Sequence, residues 1–352
     1  MLEKLSAKDT SNFVFSPYGI RNCFAFVYPG ANGKTKAEME SAFLFDVSPA
    51  EELQHFKTSN ALFNSSMGSK VEIANSLWIK NNFPLKAPYT ELINKYTNAV
   101  LPITDAKQIN QWVSNYTSGN IKDLVSDAEI KGLELMLLNA ISLDAKWQTP
   151  FPVSKTYQDD FFVNGEKKSV PMMTSEVRGR YYENNSGKIF QLFYTDDLCM
   201  TISMPTNNTH PPEWNTDIQR RLTGEIFLNI DSMIWTNPGQ FILHLPKFKV
   251  ASTYNLIPPL SQMGLEKTLS YGQSDFSKMG ENLYIKLVKQ KAMIEVTEYG
   301  TKAAAATVVG IAERGDPPAE YKIDRPFYFI IHHIKTGEIL FMGRIMDPST
   351  TN

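Results

Sequence analysis

The spacing of the apolar residues changes near residue 139. Before that point apolar residues recur at intervals of three and four, most clearly in the segments 84–100 and 105–125, which predicts a mostly helical first part. After it the apolar runs are short or alternate with polar residues, which is typical of strands. These runs are 198–205, 239–250, 283–298 and 327–345. Helices followed by strands predict a mixed α+β architecture rather than alternating βαβ units.

The segment 297–318, TEYGTKAAAATVVGIAERGDPP, carries two conflicting signals. Its four consecutive alanines favour helix, whereas the β-branched residues that follow favour strand. In an extended conformation, one face of the segment would carry only small or β-branched side chains. That face consists of Thr301, Ala303, Ala305, Thr307, Val309 and Ile311. The residues alone leave two interpretations open, a buried strand or the last turns of a core helix.

Composition and charge exclude several classes of protein. The chain has 352 residues, enough to bury a substantial core, and its net charge of −2 argues against a nucleic-acid partner. The chain has no run of 18 apolar residues, so no membrane span is predicted. The N-terminal residues 1–13 are too charged for a secretory signal, so we expect a cytoplasmic location or release by an unconventional route. Cys23 and Cys199 stand in apolar surroundings and are predicted to be buried thiols.

No motif predicts catalytic chemistry. Gly33-Lys34-Thr35 matches the end of a phosphate-binding loop, but the glycine that this loop needs five positions earlier is Tyr28. A turn leading into a helix around residues 37–45 is therefore preferred over a nucleotide enzyme that uses Lys34. The five histidines include no pair at ligand spacing, so we expect no metal, no cofactor and no catalytic residues.

Several stretches, in the same order as in the family, resemble the serpins, the serine protease inhibitor superfamily. They are NFVFSPYGI (12–20), YPGANGKTKAEM (28–39), IANSLWI (73–79), INQWV and TSGNIKDLV (109–125), LNAISLDAKWQTPF (138–151), VPMM (170–173), LPKFKV (245–250) and DRPFYFIIHHIKTGEILFMGRIMDP (324–348). The chain is identified as a member of the inhibitory type, similar to intracellular members. The resemblance implies a single domain over residues 1–352, in which helices pack around three β-sheets. It also implies an exposed reactive-centre loop at about residues 298–320.

The resemblance assigns the alanine-rich segment to this loop. The residues that match the hinge pattern of inhibitory serpins are Glu298, Gly300, Thr301, Ala303, Ala304, Ala305, Ala306 and Thr307. In the family's spacing the scissile bond follows the sixteenth residue after the hinge glutamate, which gives Arg314-Gly315. The resemblance implies a suicide substrate: a protease attacks this bond, the loop inserts into the main sheet as a new strand, and the acyl-enzyme is trapped. Small side chains suit that insertion, because bulky or charged ones would be costly to bury.

Arginine before the scissile bond makes trypsin-like serine proteases the expected partners, because their primary pocket holds an acidic residue. Papain-like cysteine proteases and a non-inhibitory carrier or chaperone function remain alternatives, although the alanines of the hinge favour inhibition. Lysine and arginine are scattered, so no heparin site is expected. We expect a monomer that can form loop–sheet polymers, since a strand-like loop exposed to solvent is prone to aggregation.

The chain departs from the family in the polar cluster that governs opening of the main sheet. Ser16 and Asn139 match the family pattern there. Gly19 stands where a second serine is common, and Gln290 stands where histidine is usual. Because an amide can form hydrogen bonds but does not titrate, we expect a cluster without a pH response.

Overall fold

The computed structural model describes residues 1–6, 11–64, 68–184, 187–206, 237–302 and 318–350. Within these ranges helices and strands form a mixed α+β architecture, as predicted. The helices are α1 (Leu2–Ser6), α2 (Pro17–Val27), α3 (Gly33–Phe43), α4 (Pro49–Asn64), α5 (Ala87–Ile93), α6 (Ala106–Tyr116), α7 (Asp127–Ile130) and α8 (Ile257–Ser261). The strands are β1 (Phe13–Phe15), β2 (Ser69–Ile79), β3 (Val100–Pro102), β4 (Leu135–Lys146), β5 (Tyr157–Val163), β6 (Glu166–Asn184), β7 (Gly187–Phe193), β8 (Leu198–Met204), β9 (Asn237–Pro246), β10 (Phe248–Asn255), β11 (Leu287–Thr297), β12 (Gly300–Thr301), β13 (Glu320–Lys322), β14 (Phe327–His333) and β15 (Ile339–Ile345).

The helices α2 and α6 begin at sequence signals that fix their position. Ser16 caps α2, its hydroxyl accepting the N–H of Gly19, and Asp105 caps α6 in the same way. The helix predicted over 105–125 ends at Tyr116, because Ser118 and Gly119 follow it with positive φ angles. The helix predicted over 84–100 is also shorter in the structure, where α5 covers Ala87–Ile93.

The main sheet has the strand order β10-β11-β12-β4-β2-β3. Its centre contains β2 and β4, which pair antiparallel over eleven residues. The strand β2 lies in the part of the chain predicted to be mostly helical, and β4 crosses the end of that part near residue 139. Leu77, Leu135 and Leu137 pack toward α2 on one face of the sheet, whereas Met136 and Leu138 pack toward α6 on the other. A strand that is buried on both faces shows a continuous apolar run instead of alternation, so β4 lacks the usual strand pattern.

The other strands form a second hydrogen-bonded network with the order β1-β15-β14-β8-β7-β6-β9-β13, and β5 pairs with β6. The long strand β6 pairs with β5 along residues 166–172 and with β7 along residues 179–184. Two of the three predicted sheets are therefore joined through β6. The run predicted as one strand over 239–250 is divided at Lys247, because β9 belongs to this network and β10 to the main sheet.

The predictions from short motifs agree with the structure in part. The helix expected around residues 37–45 begins earlier, at Gly33, so that Gly33-Lys34-Thr35 forms its first turn, and the hydroxyl of Thr35 accepts the N–H of Asp275 at 2.8 Å inside the protein. Cys23 and Cys199 are free and buried, and burial raises the pKa of each thiol to about 12. Among the described residues, no helix has the length and apolar composition needed to cross a membrane.

Candidate functional site

The main sheet contains a seam between β11 and β4 that is closed along part of its length. The two strands pair in parallel where residues 287–293 lie opposite 136–142. Beyond that stretch they no longer pair, and β12 lies between them. Thr301 of β12 is opposite Ala145 of β4 and Val296 of β11. The first residues after the turn that follows β11 therefore already occupy the open end of the seam.

The tight turn into β12 depends on Gly300. Its φ is +146°, which favours glycine, and a Cβ built on it would be 1.9 Å from the carbonyl oxygen of Ala145. Trp147, the first residue after β4, fixes the turn, since its N–H donates to the carbonyl oxygen of Tyr299 at 2.9 Å. Of the predicted hinge residues, Gly300 is thus placed where only glycine fits without a shift of the β4 backbone.

Thr301 is fully buried at the open end of the seam. Its hydroxyl is 2.6 Å from the hydroxyl of Tyr194, whose ring stacks on Trp147 at 4.2 Å between centroids. Burial raises the pKa of Tyr194 well above its ordinary value, so this hydroxyl stays protonated and can hydrogen-bond. Thr301 is thus a small polar residue held by a hydrogen bond at a fully buried position, where a charged side chain would be costly.

Glu298 is anchored just before the turn. Its carboxylate is almost fully buried, forms a salt bridge with Lys247 at 2.9 Å and accepts the hydroxyl of Thr156 at 2.9 Å. Burial on its own would raise the pKa of Glu298, but the hydrogen bonds from Lys247, the backbone and Thr156 outweigh it and hold the pKa below its usual range. Glu298, the predicted hinge glutamate, is therefore charged and fixed at neutral pH.

The described chain leaves the sheet at Lys302, which has a φ of +56° and donates its N–H to the carbonyl oxygen of Glu295 at 2.8 Å. Several predicted site residues lie outside the described residues. They are Ala303, Ala304, Ala305, Ala306, Thr307, Arg314 and Gly315. The described chain continues at Pro318 and enters β13, which pairs in parallel with β9. Tyr321 of β13 stacks on Tyr181 at 3.8 Å between centroids.

The predicted sheet-opening cluster is brought together across the same seam. The side-chain NH₂ of Gln290 donates to the carbonyl oxygen of Ser16 at 2.9 Å and to Oδ1 of Asn139 at 2.6 Å. Its Oε1 accepts the N–H of Ser16 at 2.9 Å. Gln290 on β11 thus bonds to Asn139 on β4, the residue directly opposite in the parallel ladder.

Sequence reasoning missed two members of this cluster. Asn75 on β2 accepts the NH₂ of Asn139 at 2.5 Å through its Oδ1, and the thiol of Cys23 is 3.4 Å from the same atom. Both side chains are buried. An asparagine inside an apolar strand segment was the available signal for Asn75, because a buried amide requires hydrogen-bond partners.

The chain matches one protein family over nearly its whole length. The family model for serpins, described as serine protease inhibitors, matches residues 1–348. The chain belongs to the serpin family. The leukocyte elastase inhibitor of Xenopus laevis is 32% identical to this chain, and the match covers 96% of this chain and 94% of that inhibitor. Plasminogen activator inhibitor 1 of Neovison vison is 30% identical, and the match covers 97% of this chain and 88% of that protein.

A solved structure shows the same fold. The native state of the thermophilic serpin tengpin has a TM-score of 0.86 and 28% sequence identity with this serpin, and the match covers 98% of this chain and 91% of tengpin. The mixed α+β serpin fold expected from the sequence motifs is thereby confirmed. The family and the named relatives also support protease inhibition as the general function of this chain.

Proposed function

We propose that this serpin inhibits trypsin-like serine proteases as a suicide substrate. The protease attacks the carbonyl carbon of Arg314, the peptide bond to Gly315 breaks, and an acyl-enzyme forms. The loop on the N-terminal side of the cut then enters the seam between β11 and β4 and carries the attached protease with it. Trapping succeeds when insertion is faster than hydrolysis of the acyl bond. The observation that supports this mechanism most directly is the position of β12 inside the seam.

The register of β12 defines the path of insertion. Thr301 lies opposite Ala145 and Val296, and β12 is antiparallel to both neighbours. Continuing that register places positions 303 to 310 opposite residues 143 to 136 of β4 and 294 to 287 of β11. The inserted strand would therefore end where the parallel β11–β4 ladder begins, at Leu287 and Met136. Hydrophobic and small residues occupy this stretch of the sequence, AAAATVVG, which fits a strand between two neighbours.

The energetics favour insertion. Insertion breaks one parallel ladder and forms two antiparallel ladders, so the net gain is about one hydrogen bond per inserted residue. At about 1 kcal/mol for each hydrogen bond, the eight positions 303 to 310 contribute on the order of 10 kcal/mol before apolar burial is counted. A difference of that size corresponds to roughly seven powers of ten in an equilibrium constant. Only a cut in the loop makes this energy fully accessible, because the uncut loop remains tied to β13.

The target class follows from Arg314. A guanidinium suits a primary pocket that holds a carboxylate, which is the arrangement in trypsin-like proteases. Glu313 and Asp316 flank the bond with negative charge, which disfavours targets whose active-site rim is acidic. A papain-like cysteine protease that accepts arginine could be trapped by the same route, since insertion does not depend on the chemistry of the nucleophile.

The test is incubation of the intact serpin with trypsin, followed by denaturing electrophoresis and mass spectrometry. We expect an SDS-resistant species whose mass is that of the serpin plus trypsin less the C-terminal fragment, and a released fragment that begins at Gly315. Trypsin with its catalytic serine blocked is the control and should give no such species. Complete cleavage at Gly315 without a trapped species would contradict inhibition and favour the carrier alternative. A fragment that begins elsewhere would show that the scissile bond is misassigned.

A further inference from the structure

Each end of the reactive-centre loop carries a glutamate that is held by the body of the protein. Glu298 precedes the hinge, and Glu320 opens β13 on the other side of the loop. Glu298 is almost fully buried, whereas the side chain of Glu320 is 61% exposed. The two residues are 22 positions apart in the sequence, yet the groups that hold them come from the same two short segments, residues 156–157 and 244–247.

At the hinge end the supports are Thr156 and Lys247. Thr156 lies immediately before β5 and donates its hydroxyl to Oε1 of Glu298 at 2.9 Å. Lys247 lies between β9 and β10 and contacts the other carboxylate oxygen at 2.9 Å. The backbone N–H of Lys247 donates to the carbonyl oxygen of Pro171 on β6, so this support is fixed to the second sheet network.

At the far end the supports are Tyr157 and His244. Nε2 of His244 is 2.5 Å from Oε1 of Glu320, and Nδ1 is 2.9 Å from the hydroxyl of Tyr157 and 3.0 Å from that of Thr174. With the proton on Nε2, the neutral ring donates to Glu320 and accepts a hydroxyl at Nδ1, so that every polar atom of the ring is paired. The hydroxyls of Tyr157 and Thr174 orient the imidazole, and the imidazole in turn holds Glu320.

A third contact joins the same strands. Lys322, which pairs with His244 in the β13–β9 ladder, forms a salt bridge with Asp159 of β5 at 2.7 Å. The strand β13 has only three residues and pairs with one neighbour in the described chain, β9. Side-chain contacts to β5 add to the attachment that the β9 ladder and the stacking of Tyr321 on Tyr181 provide.

We propose that residues 156–157 and 244–247 form one loop bracket that couples the two ends of the reactive-centre loop. Thr156 and Tyr157 are adjacent, so a shift of the backbone there moves the support of Glu298 and the support of His244 together. His244 and Lys247 are three positions apart at the end of β9, so they are coupled through the same short backbone segment. Loosening either end of the loop loosens the other, because both pull on the same two backbone segments. The loop bracket rests on the proposed function in one respect, because that function makes this loop the site of cleavage.

The test measures amide hydrogen exchange by mass spectrometry in the intact full-length serpin, without protease. Tyr157→Phe removes one hydroxyl at the far end, and Thr156→Val removes one hydroxyl at the hinge end. Loss of a single hydrogen bond is expected to speed exchange about three- to tenfold at its own end. The bracket predicts that Tyr157→Phe also speeds exchange in residues 299–302, and that Thr156→Val also speeds it in residues 320–323. The exchange measurement is independent of whether the protein inhibits trypsin.

Two controls separate coupling from general loosening. Asp160→Asn breaks an exposed salt bridge with Lys167 in the same β5–β6 hairpin, and it should leave exchange at both loop ends unchanged. Thr156→Ser keeps the hydroxyl that Thr156→Val lacks, so exchange at both ends should stay as slow as in the parent. The two single effects should also be less than additive in the double variant. Variants that affect only their own end, or an Asp160→Asn variant that affects both ends equally, would overturn the proposal.

Discussion

Gly19 lies directly against the side-chain amide of Asn139. A Cβ built on Gly19 would be 2.4 Å from Nδ2 and 2.5 Å from Oδ1 of Asn139, closer than packed atoms allow. Asn139 thus fills the space that a side chain at position 19 would need. From this position the NH₂ of its amide donates to Asn75, and its amide oxygen accepts the NH₂ of Gln290. Gly19, which stands where the family pattern has a second serine, thus leaves room for the side chain of Asn139 and its hydrogen bonds to Asn75 and Gln290.

We expect Gly19→Ser to destabilise the intact serpin by about 1–3 kcal/mol, because the added side chain displaces Asn139 from its hydrogen bonds. Urea unfolding of the uncleaved protein measures this change. Gly19→Ser combined with Asn139→Ala should cost less than the sum of the single variants, since the second change removes the clash. Additive costs would mean that Asn139 is not what excludes a side chain from position 19.

Much of this site could be predicted from the sequence, because family motifs place Ser16, Asn139 and Gln290 at known positions of a known fold. Their partners could not be predicted in the same way. Asn75 and Cys23 join the cluster only through the β2–β4 register and the packing of α2 on the sheet. Such long-range pairing leaves no trace in local spacing.

The hinge shows the same division. Glu298, Gly300 and Thr301 could be named from the loop motif, whereas their supports could not. Tyr194, the first residue after β7, contacts Thr301, and Lys247 contacts Glu298 from the connection between β9 and β10. The strands β2 and β4 were hidden for another reason. Burial on both faces removes the alternation that identifies strands, so the first part of the chain gave mainly a helical signal.

The salt bridge at Glu298 predicts a pH dependence of stability. The pKa of Glu298 is lowered in the folded state, so its ionised form stabilises the protein above the unfolded pKa of about 4.3, and this contribution is lost as the pH falls through the folded pKa. The difference in unfolding free energy between the parent and Glu298→Gln should be constant from pH 7 to 5 and shrink below about pH 4. Urea titrations at each pH measure it.

A matched pair of variants isolates the buried salt bridge. Lys247→Met leaves the buried carboxylate without its cation and should cost about 3 kcal/mol at pH 7. Lys249→Met removes the cation of the more exposed pair with Glu295, which joins β10 to β11, and it should cost less than about 1 kcal/mol. Equal effects of the two variants would show that burial of Glu298 does not strengthen its anchoring.

Arg314 should determine which protease is trapped. Arg314→Ala leaves the carboxylate of a trypsin-like pocket unpaired, which costs several kcal/mol, or about three powers of ten, in the rate of attack. The variant should lose the SDS-resistant trypsin complex while its intact melting temperature stays the same. Arg314→Lys is the matched control and should keep most of the trapping. Normal trypsin inhibition by Arg314→Ala would place the scissile bond elsewhere.

Thr301 should be sensitive to charge because its site in the seam is fully buried. Thr301→Arg puts a guanidinium between β11 and β4, where no carboxylate is available among its described contacts with Tyr194, Ala145 and Val296. We expect trypsin to cleave this variant without being trapped. Lys302→Arg, at the next and partly exposed position, should inhibit like the parent.

A milder change guards against a folding defect in that experiment. Thr301→Val keeps the shape of the side chain and removes only the hydroxyl, which leaves Tyr194 without this partner at a cost of about 1–2 kcal/mol. This variant should still trap trypsin, with a small rise in the fraction that is merely cleaved. Trapping by Thr301→Arg at the parental level would show that residue 301 does not face inward during insertion.

Cleavage in the loop should raise the stability of the protein. In the nicked chain, positions 303 to 310 can extend β12 along the path set by Thr301, Ala145 and Val296, converting the short insertion into a full central strand. Two antiparallel ladders then replace the parallel pairing of β11 with β4, and β13 no longer holds the end of the inserting segment. On the order of 10 kcal/mol of added hydrogen bonding should shift the melting temperature upward by about 10–15 °C in a chain of this length. Calorimetry on intact protein and on protein nicked between Val308 and Arg314 tests this, with Thr301→Arg nicked in the same way as the control that should not gain stability. Equal melting temperatures for the intact and nicked parent would mean that the seam does not accept the loop.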